Sequence, residues 1–446
     1  MRDADVIVVG AGAGGPVAAR VLSEAGLSVL MLDAGPWLDP ESDYSQIEDD
    51  MFSMADGKLR WGPADRRRDP WQRKRVGVSV LLQSAGVGGC TRHYNGIASR
   101  ALSDSIDDEW PLTYDDLLES YEAVERLLPV GRVSVLAPKD ALFAEGCRRL
   151  GIPERLGPDI GPESWGHSYN AILPIADSED GEGCTLCGHC LIGCGMPANA
   201  PRSRKAKRAT DVSMVPAAVE TGRCTVLADA FATAILVEPG RDGRPRAAGV
   251  QWRETHGGAT RKAFGAAVVL AAGAVETPRL WLNSGLPDRG SIGRHLTCHY
   301  PDVVTGFFDQ PTHPDVGQVT MAKADFPGEG VFWAEGFAPW GFSAALSVGG
   351  DGFWDEPASP EEEPWHFTGR SWGAEAMRRV HRYESALSIA ISTDDDALPD
   401  NRVRLADDWP ADEHGPVASV EYRPNAAALE RREALARKAS AVPCTI

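Results

Sequence analysis

Val6-Ile7-Val8-Val9-Gly10-Ala11-Gly12-Ala13-Gly14-Gly15 stands near the start of the chain, and the fold turns on how these ten residues are read. The β-branched run Val6–Val9 predicts a strand buried on both faces, of the kind found in parallel sheets. Glycine then occupies the first, third and sixth positions of G-x-G-x-x-G. Apolar residues at Val17, Val21, Leu22 and Ala25 predict a helix, and Gly26 stops it. Leu27–Leu32 predicts a second strand, closed by Asp33. Strand, glycine turn, helix, strand and acid together make a dinucleotide-binding βαβ unit. Gly10 permits the tight turn, Gly12 lets backbone approach a pyrophosphate, and Gly15 lets helix and strand pack. Ala13 and Gly14 belong to the helix N-terminus, whose free N–H groups and partial positive charge favour phosphate. Asp33, with Ala34 beside it, is placed to accept hydrogen bonds from a ribose. The motif alone does not separate FAD from NAD.

A length of 446 residues predicts two domains. A net charge of −19 argues against nucleic acid as a partner, and the basic run Arg66–Arg75 reads as a solvated loop. No apolar run is long enough to span a membrane, and no signal peptide precedes the first strand, so a cytoplasmic protein is expected. Of nine cysteines, four fall between Cys184 and Cys194, which suits metal or cluster chemistry better than a disulfide framework.

Residues 36 to 75 are rich in Pro, Asp, Gly and Arg and read as a long excursion. Gly86–Gly96 has the composition of a second ligand loop dominated by backbone, with Thr91 and Asn95 supplying hydrogen bonds. Thr113 and Asp116 predict a capping box that opens a helix through Leu117, Tyr121, Val124 and Leu127. Cys184, Cys187, Cys190 and Cys194 follow C-x2-C-x2-C-x3-C, the spacing of ferredoxin clusters, with Gly188, Gly193 and Gly195 permitting a tight wrap. Only one such run exists and no Pro follows Cys194. An iron–sulfur cluster, a plain loop of free thiols and a zinc site all stay open.

Farther on, Thr225–Leu227, Phe231–Val237 and Ala248–Trp252 predict a three-stranded meander. Ala267–Leu286 reads as a buried strand, a small-residue turn at Ala272-Gly273, and a helix with Thr277-Pro278 in its first turn. From Pro301 onward, strands are expected at Val303–Phe308, Gly330–Glu335, Ala344–Val348 and Ala386–Ile391. Residues 350 to 370 form an acidic, Pro-rich loop. Trp333, Trp340, Trp354, Trp365 and Trp372 line either a core or an apolar pocket. A last helix is expected over Ala426–Lys438.

The N-terminal βαβ unit, the Val87-Gly88-Gly89 loop with Asn95-Gly96, and the W-P-L-T-Y-D-D-L helix start resemble the glucose–methanol–choline (GMC) flavoprotein oxidoreductases. Ala271-Ala272-Gly273-Ala274, Glu276-Thr277-Pro278, Ser284-Gly285-Leu286 and Asn401-Arg402-Val403 extend the resemblance over essentially the whole chain. It implies an α/β fold: a Rossmann-type FAD-binding domain over residues 1–300, then a discontinuous α+β substrate domain on a mostly antiparallel sheet over 301–446. It implies that FAD is held by Gly10, Gly12, Ala13, Gly14, Gly15, Asp33, Ala34, Gly89, Thr91, His93, Asn95, Ala232, Ala272 and Gly273. The order Gly-Gly-Cys-Thr-Arg-His-Tyr is similar to sugar-oxidising members, which makes His93 a candidate for covalent flavin attachment or simply a histidine packed in the loop. In some dehydrogenase members a loop of this kind carries a cluster on thiolates spaced as Cys184, Cys190 and Cys194 are. His299 either touches the flavin region or packs beside it.

The family pattern continues into a segment bearing its catalytic His, which has no match before Ile446. The chain is therefore expected to be C-terminally incomplete, with no catalytic residue assigned. The implied activity is FAD-dependent oxidation of an alcohol or sugar CH–OH group, by a dehydrogenase or oxidase, by hydride transfer to flavin. An electron-acceptor protein is the expected partner beside the small-molecule substrate. The alternative is an FAD-binding chain that is inactive or needs a separate C-terminal partner.

Overall fold

The computed structural model describes residues 2–38, 71–77, 83–159, 162–175, 183–190, 206–240, 243–255, 257–299, 301–337, 339, 342–343 and 373–446. The chain divides into two compact units, each assembled from three separated segments. One comprises Met1–Tyr94, Ala209–Thr297 and Ala397–Arg423; the other comprises Asn95–Arg208, Cys298–Asp396 and Pro424–Ile446. This departs from a single boundary at residue 300. Residues 95–208 fold with the second unit and 397–423 with the first, because strand pairing rather than sequence order gathers them.

The first unit is built on a four-stranded parallel sheet in the order Ala267–Leu270, Val6–Val9, Val29–Leu32, Cys224–Leu227. Alternation along Val6–Val9 sorts the two faces. Val6 and Val8 pack with Ala19, Met31, Val215 and Ala218, beneath the helices Gly14–Glu24 and Met214–Glu220. Ile7 and Val9 pack on the other side with Leu32, Ile235, Val250 and Leu280. That side is covered by an antiparallel meander of Ala230–Pro239, Pro245–Glu254 and Thr260–Phe264, and by the helix Gly273–Asn283.

Three expectations shift here. Thr225–Leu227 extends the parallel sheet rather than opening the meander, whose third strand is Thr260–Phe264. The helix at the second signature begins at Gly273, so Pro278 lies in its second turn and removes the N–H that would bond the Ala274 carbonyl. Within the basic run, Lys74–Val76 is a strand paired parallel with Ala418–Glu421, which also pairs with Arg402–Leu405. Arg73 is buried. The charges of Arg73 and Lys74 are paired with acids rather than left to solvent.

The second unit carries a five-stranded antiparallel sheet in the order Pro301–Phe307, Ala386–Thr393, Gly330–Glu335, Ala322–Phe326, Ser164–His167. The helices Pro138–Arg149 and Ala426–Cys444 pack on it through Phe143, Leu435 and Val442 against Phe326, Phe332 and Ile389. The last helix runs six residues beyond Lys438, started by Asn425, whose side chain accepts from Ala428 N at 2.8 Å. The capping box forms as the sequence predicts. Thr113 N donates to Asp116 Oδ2 at 2.9 Å, and Asp116 N donates to Thr113 Oγ1 at 3.2 Å. The expected strand Ala344–Val348 and the loop 350–370 lie outside the described residues, as do Trp340, Trp354, Trp365 and Trp372. No described helix is long and apolar enough to cross a membrane.

Candidate active site

In the first unit the glycine turns press against one another. Gly10 has φ +100°, and a Cβ there would lie 2.3 Å from the Ala271 carbonyl oxygen, so the first turn and the second signature touch through backbone alone. A Cβ on Gly89 would lie 2.8 Å from Gly12 Cα, so the second glycine loop seats directly on the first. Ala13 and Gly14 are exposed, nothing lies within 4 Å of a Cβ on Gly14, and no side chain caps the helix. Pro16 removes one N–H from the first turn, which leaves the exposed Gly14 at the open end of the helix while Gly15 is buried against the Gly10 carbonyl.

Side chains then tie the turns together. Asp33 is buried, and its Oδ2 accepts from Ala11 N at 2.8 Å while Oδ1 accepts from Gly35 N at 3.0 Å and Gly86 N at 2.8 Å. Burial raises its carboxyl above the usual range, opposed by these donors and by the Arg92 guanidinium. Arg92 is itself buried and donates through Nη2 to Ser84 Oγ and the Ala85 carbonyl, both at 3.0 Å. Thr91 Oγ1 donates to the Gly88 carbonyl at 2.6 Å and accepts from Thr210 N at 3.0 Å. Thr210 Oγ1 donates to the Gly12 carbonyl at 2.9 Å. His93 Nε2 lies 3.1 Å from Ser84 Oγ.

Beside these turns is a cavity of about 780 Å³, lined by Gly14, Ala271, Gly273, Ala274, Thr277 and His295 among others. That size lies within the ordinary range of cofactor sites. An open helix start, backbone-only contacts between turns and this adjoining cavity fit a dinucleotide such as FAD. Ala272 sits at the head of the Gly273–Asn283 helix. Ala232 lies in the meander strand, paired with Trp252. His299 is exposed.

The second signature helix is held by a closed ring of buried charges. Arg73 Nε bonds Glu276 at 2.6 Å and Arg73 Nη1 bonds Asp412 at 3.3 Å; Arg279 bonds Glu276 at 3.1 Å and Asp412 at 3.2 Å. Two cations and two anions thus compensate one another where single buried charges would be unaffordable.

Among the described residues, which include Cys184, Cys187 and Cys190, no three His, Cys, Asp or Glu side chains converge to hold an ion. Cys194 lies outside those residues. Cys184 and Cys190 are packed with Ile172, Ala206 and Val319. Burial pushes the Cys184 thiol up, which favours the protonated form rather than a ligating thiolate, and Leu186 N donates to its Sγ at 3.4 Å.

Asn95 folds with the second unit. Its Nδ2 donates to Glu335 Oε2 at 3.1 Å and lies 3.4 Å from Oε1. The Trp333 indole N–H also donates to Oε2. Glu335 is 4% exposed, and burial pushes its carboxyl up to about 7, with Asp140 adding to the rise and Lys139 opposing it. Lys139 and Asp140 are buried as an ion pair at 2.6 Å, and Asp140 Oδ1 accepts from Met321 N at 3.0 Å and Ala322 N at 3.2 Å. The available signal for Glu335 was an acid ending the apolar strand Gly330–Glu335.

Comparison with known proteins adds the following. Residues 174–301 match the GMC oxidoreductase family. An uncharacterised GMC-type oxidoreductase of Mycobacterium tuberculosis is 30% identical over 315 residues, covering 69% of this chain and 43% of the relative. A long-chain-alcohol oxidase of Arabidopsis thaliana is 27% identical over 69% of this chain and 37% of its own length. The chain therefore spans less than half of these curated relatives. Among solved structures, pyridoxine 4-oxidase from Mesorbium loti superposes with a TM-score of 0.61 at 16% identity, over 98% of this chain and 80% of that one. A formate oxidase of Aspergillus oryzae gives 0.62 at 14% identity, over 98% and 80%. At such identities the shared property is the fold. The sequence signatures and the family match agree: residues 174–301 carry a GMC oxidoreductase domain, and over more than two thirds of its length the chain is similar to GMC-type oxidoreductases.

Proposed function

We propose that the chain is the cofactor- and substrate-binding body of an FAD-dependent oxidoreductase that oxidises an alcohol at its CH–OH carbon. The first unit holds FAD through Gly12, Ala13, Gly14 and Gly15 at the helix start, with Gly89, Ala272 and Gly273 keeping backbone close. Bound FAD supplies the hydride acceptor. The observation that carries the reading is the uncapped helix start at Gly14, standing beside a cavity lined by Ala271, Gly273, Ala274 and Thr277. Family relatives named for long-chain alcohols and for cholesterol support an apolar alcohol over a sugar. Electrons then leave to an acceptor that the chain's own residues do not specify.

Anaerobic bleaching of bound flavin by a panel of alcohols and sugars tests this. Apolar alcohols are expected to reduce the flavin and sugars to leave it oxidised. A flavin-loaded chain that no alcohol bleaches would overturn the proposal.

A further inference from the structure

The first unit carries a second cavity, of about 540 Å³, walled by the meander, the C-terminal end of the Gly273–Asn283 helix and the Glu413–Pro416 loop. It shares no lining residue with the cavity beside the glycine turns, and its size suits a small molecule. We propose that it is a separate ligand site for a polyhydroxylated organic anion, of the sugar-acid or sugar-phosphate class, held by Arg253.

The charge of Arg253 comes first. On the same meander, Arg246 and Arg261 pair with Glu238 and Glu254. Arg253 is half-buried at the cavity, and its bonds go to backbone: Nε donates to the Gly258 carbonyl at 3.2 Å and Nη1 to the Glu413 carbonyl at 3.1 Å. Among the described residues no carboxylate pairs with it, and Nη2 donates to none of them. A guanidinium held in place by two carbonyls, with donors to spare, is a preformed seat for a carboxylate or a phosphate.

The other polar groups of the lining call for hydroxyls. Asn283 Nδ2 donates to the Pro416 carbonyl at 3.2 Å, which fixes the amide and leaves Oδ1 buried with no partner among the described residues. Gln251 Nε2 donates to Thr233 Oγ1 at 3.2 Å, so its Oε1 is the open end of that amide. His414 also lines the cavity; it is 3% exposed, and neither ring nitrogen has a partner among the described residues. Polar atoms left unpaired in a protein are costly, and ligand hydroxyls, which both donate and accept, relieve them. Glu413 adds an acid to the lining, so a bare anion gains little. The occupant must bring hydrogen-bond donors as well as charge. Bonds from Arg253 and Asn283 to the Glu413–Pro416 loop fix the walls before anything binds.

Thermal melting and isothermal titration of the full chain test the site. Gluconate and glucose-6-phosphate are the probes, glucose is the uncharged control and acetate the bare anion, all at equal ionic strength. At about ten times its Kd, at least one probe is expected to raise the melting temperature by about 2 °C or more. Glucose and acetate are expected to leave it unchanged. Whichever probe binds tells carboxylate from phosphate. Arg253→Gln is expected to weaken that probe by about tenfold or more. If this variant does not fold, Asn283→Leu takes its place with the same expected direction, and the wild-type comparison of probes with controls stands without either. Absence of binding by both probes up to about 10 mM overturns the proposal. An equal shift with acetate means an adventitious ion only, and an equal shift with glucose removes the role of charge; each overturns it. Undiminished affinity in the folded variant places the probe elsewhere and overturns it too.

Discussion

The imidazole of His414 lies flat on the ring of Phe231, with centroids 3.7 Å apart and planes 8° from parallel. Trp71 meets both rings edge-on, at 5.0 Å from Phe231 and 5.1 Å from His414. Arg279 stands 5.5 Å above Phe231, so the aromatic stack is continuous with the charge ring that fixes the second signature helix. Neither ring nitrogen of His414 has a hydrogen-bond partner among the described residues. Burial pushes its pKa down to about 4, against the opposite pull of Asp412 and Glu413 and with Arg279 and Arg73 adding to the depression. The ring is neutral at pH 7.

This arrangement predicts acid sensitivity. A histidine depressed on folding lets the unfolded chain take up the proton first. Its stabilisation is whole above about pH 6.5 and is lost as pH falls toward 4, at up to about 1.4 kcal/mol per pH unit. His414→Phe keeps a ring on Phe231 but cannot titrate. Melting temperatures of wild type should fall faster than those of the variant between pH 6.5 and 4.5. Parallel curves over that range would remove His414 as the cause.

Glu335 predicts the opposite sign in a different window. A carboxyl raised on folding is protonated preferentially in the folded state. Its burial is harmless below about pH 4.5 and becomes destabilising as pH rises to 7, by about 3 kcal/mol in all. Glu335→Gln has no such term. Wild type should lose stability relative to this variant between pH 4.5 and 7 and then run parallel to it. Denaturant midpoints at pH 5, 6, 7 and 8 measure the difference directly.

Gly89→Ala should damage the nucleotide cradle. The residue has φ +49°, and its new Cβ would sit 2.8 Å from Gly12 Cα, which is backbone and cannot turn aside. A loss of about 1–3 kcal/mol in stability and a weakened hold on FAD are expected, read by thermal melting and by flavin retained on gel filtration. Gly14→Ala, with open space around its Cβ, is the matched control and should change stability little.

Glu276→Gln should be costly for another reason. Glu276 bonds both Arg73 and Arg279, so neutralising it leaves two buried cations sharing Asp412. Breaking a buried ion network in this way destabilises by roughly 3–5 kcal/mol. A variant within 1 kcal/mol of wild type by urea denaturation would show that the ring contributes little.

The parts of the fold that are local were legible. Val6–Val9, the Gly14–Glu24 helix and the Thr113–Asp116 capping box all follow from spacing within a dozen residues. What could not be read was long-range pairing. Thr225–Leu227 has the same composition whether it joins a meander or the parallel sheet, and only its pairing with Val29–Leu32 decides. Arg73 looks like part of a basic loop until Glu276 and Asp412 are brought to it from more than two hundred residues away. The Cys184–Cys194 run shows a complementary limit. Its spacing is informative only when the thiolates converge, and here two of them pack with aliphatic side chains. Glu335 and Asn95 are 240 residues apart, so no sequence pattern announces their bond.

The central strand Val6–Val9 has neighbours made at very different times. Val29–Leu32 follows it almost at once, but Ala267–Leu270 lies about 260 residues later. At a synthesis rate of roughly 5–20 residues per second, one edge of the founding βαβ unit of this sheet stays unpaired for roughly 15–50 s while the ribosome works through the rest. An apolar parallel edge left bare that long is a docking line for any other nascent strand. Expression yield of this protein is therefore expected to depend on translation speed and on holdase chaperones more than on the stability of the finished fold.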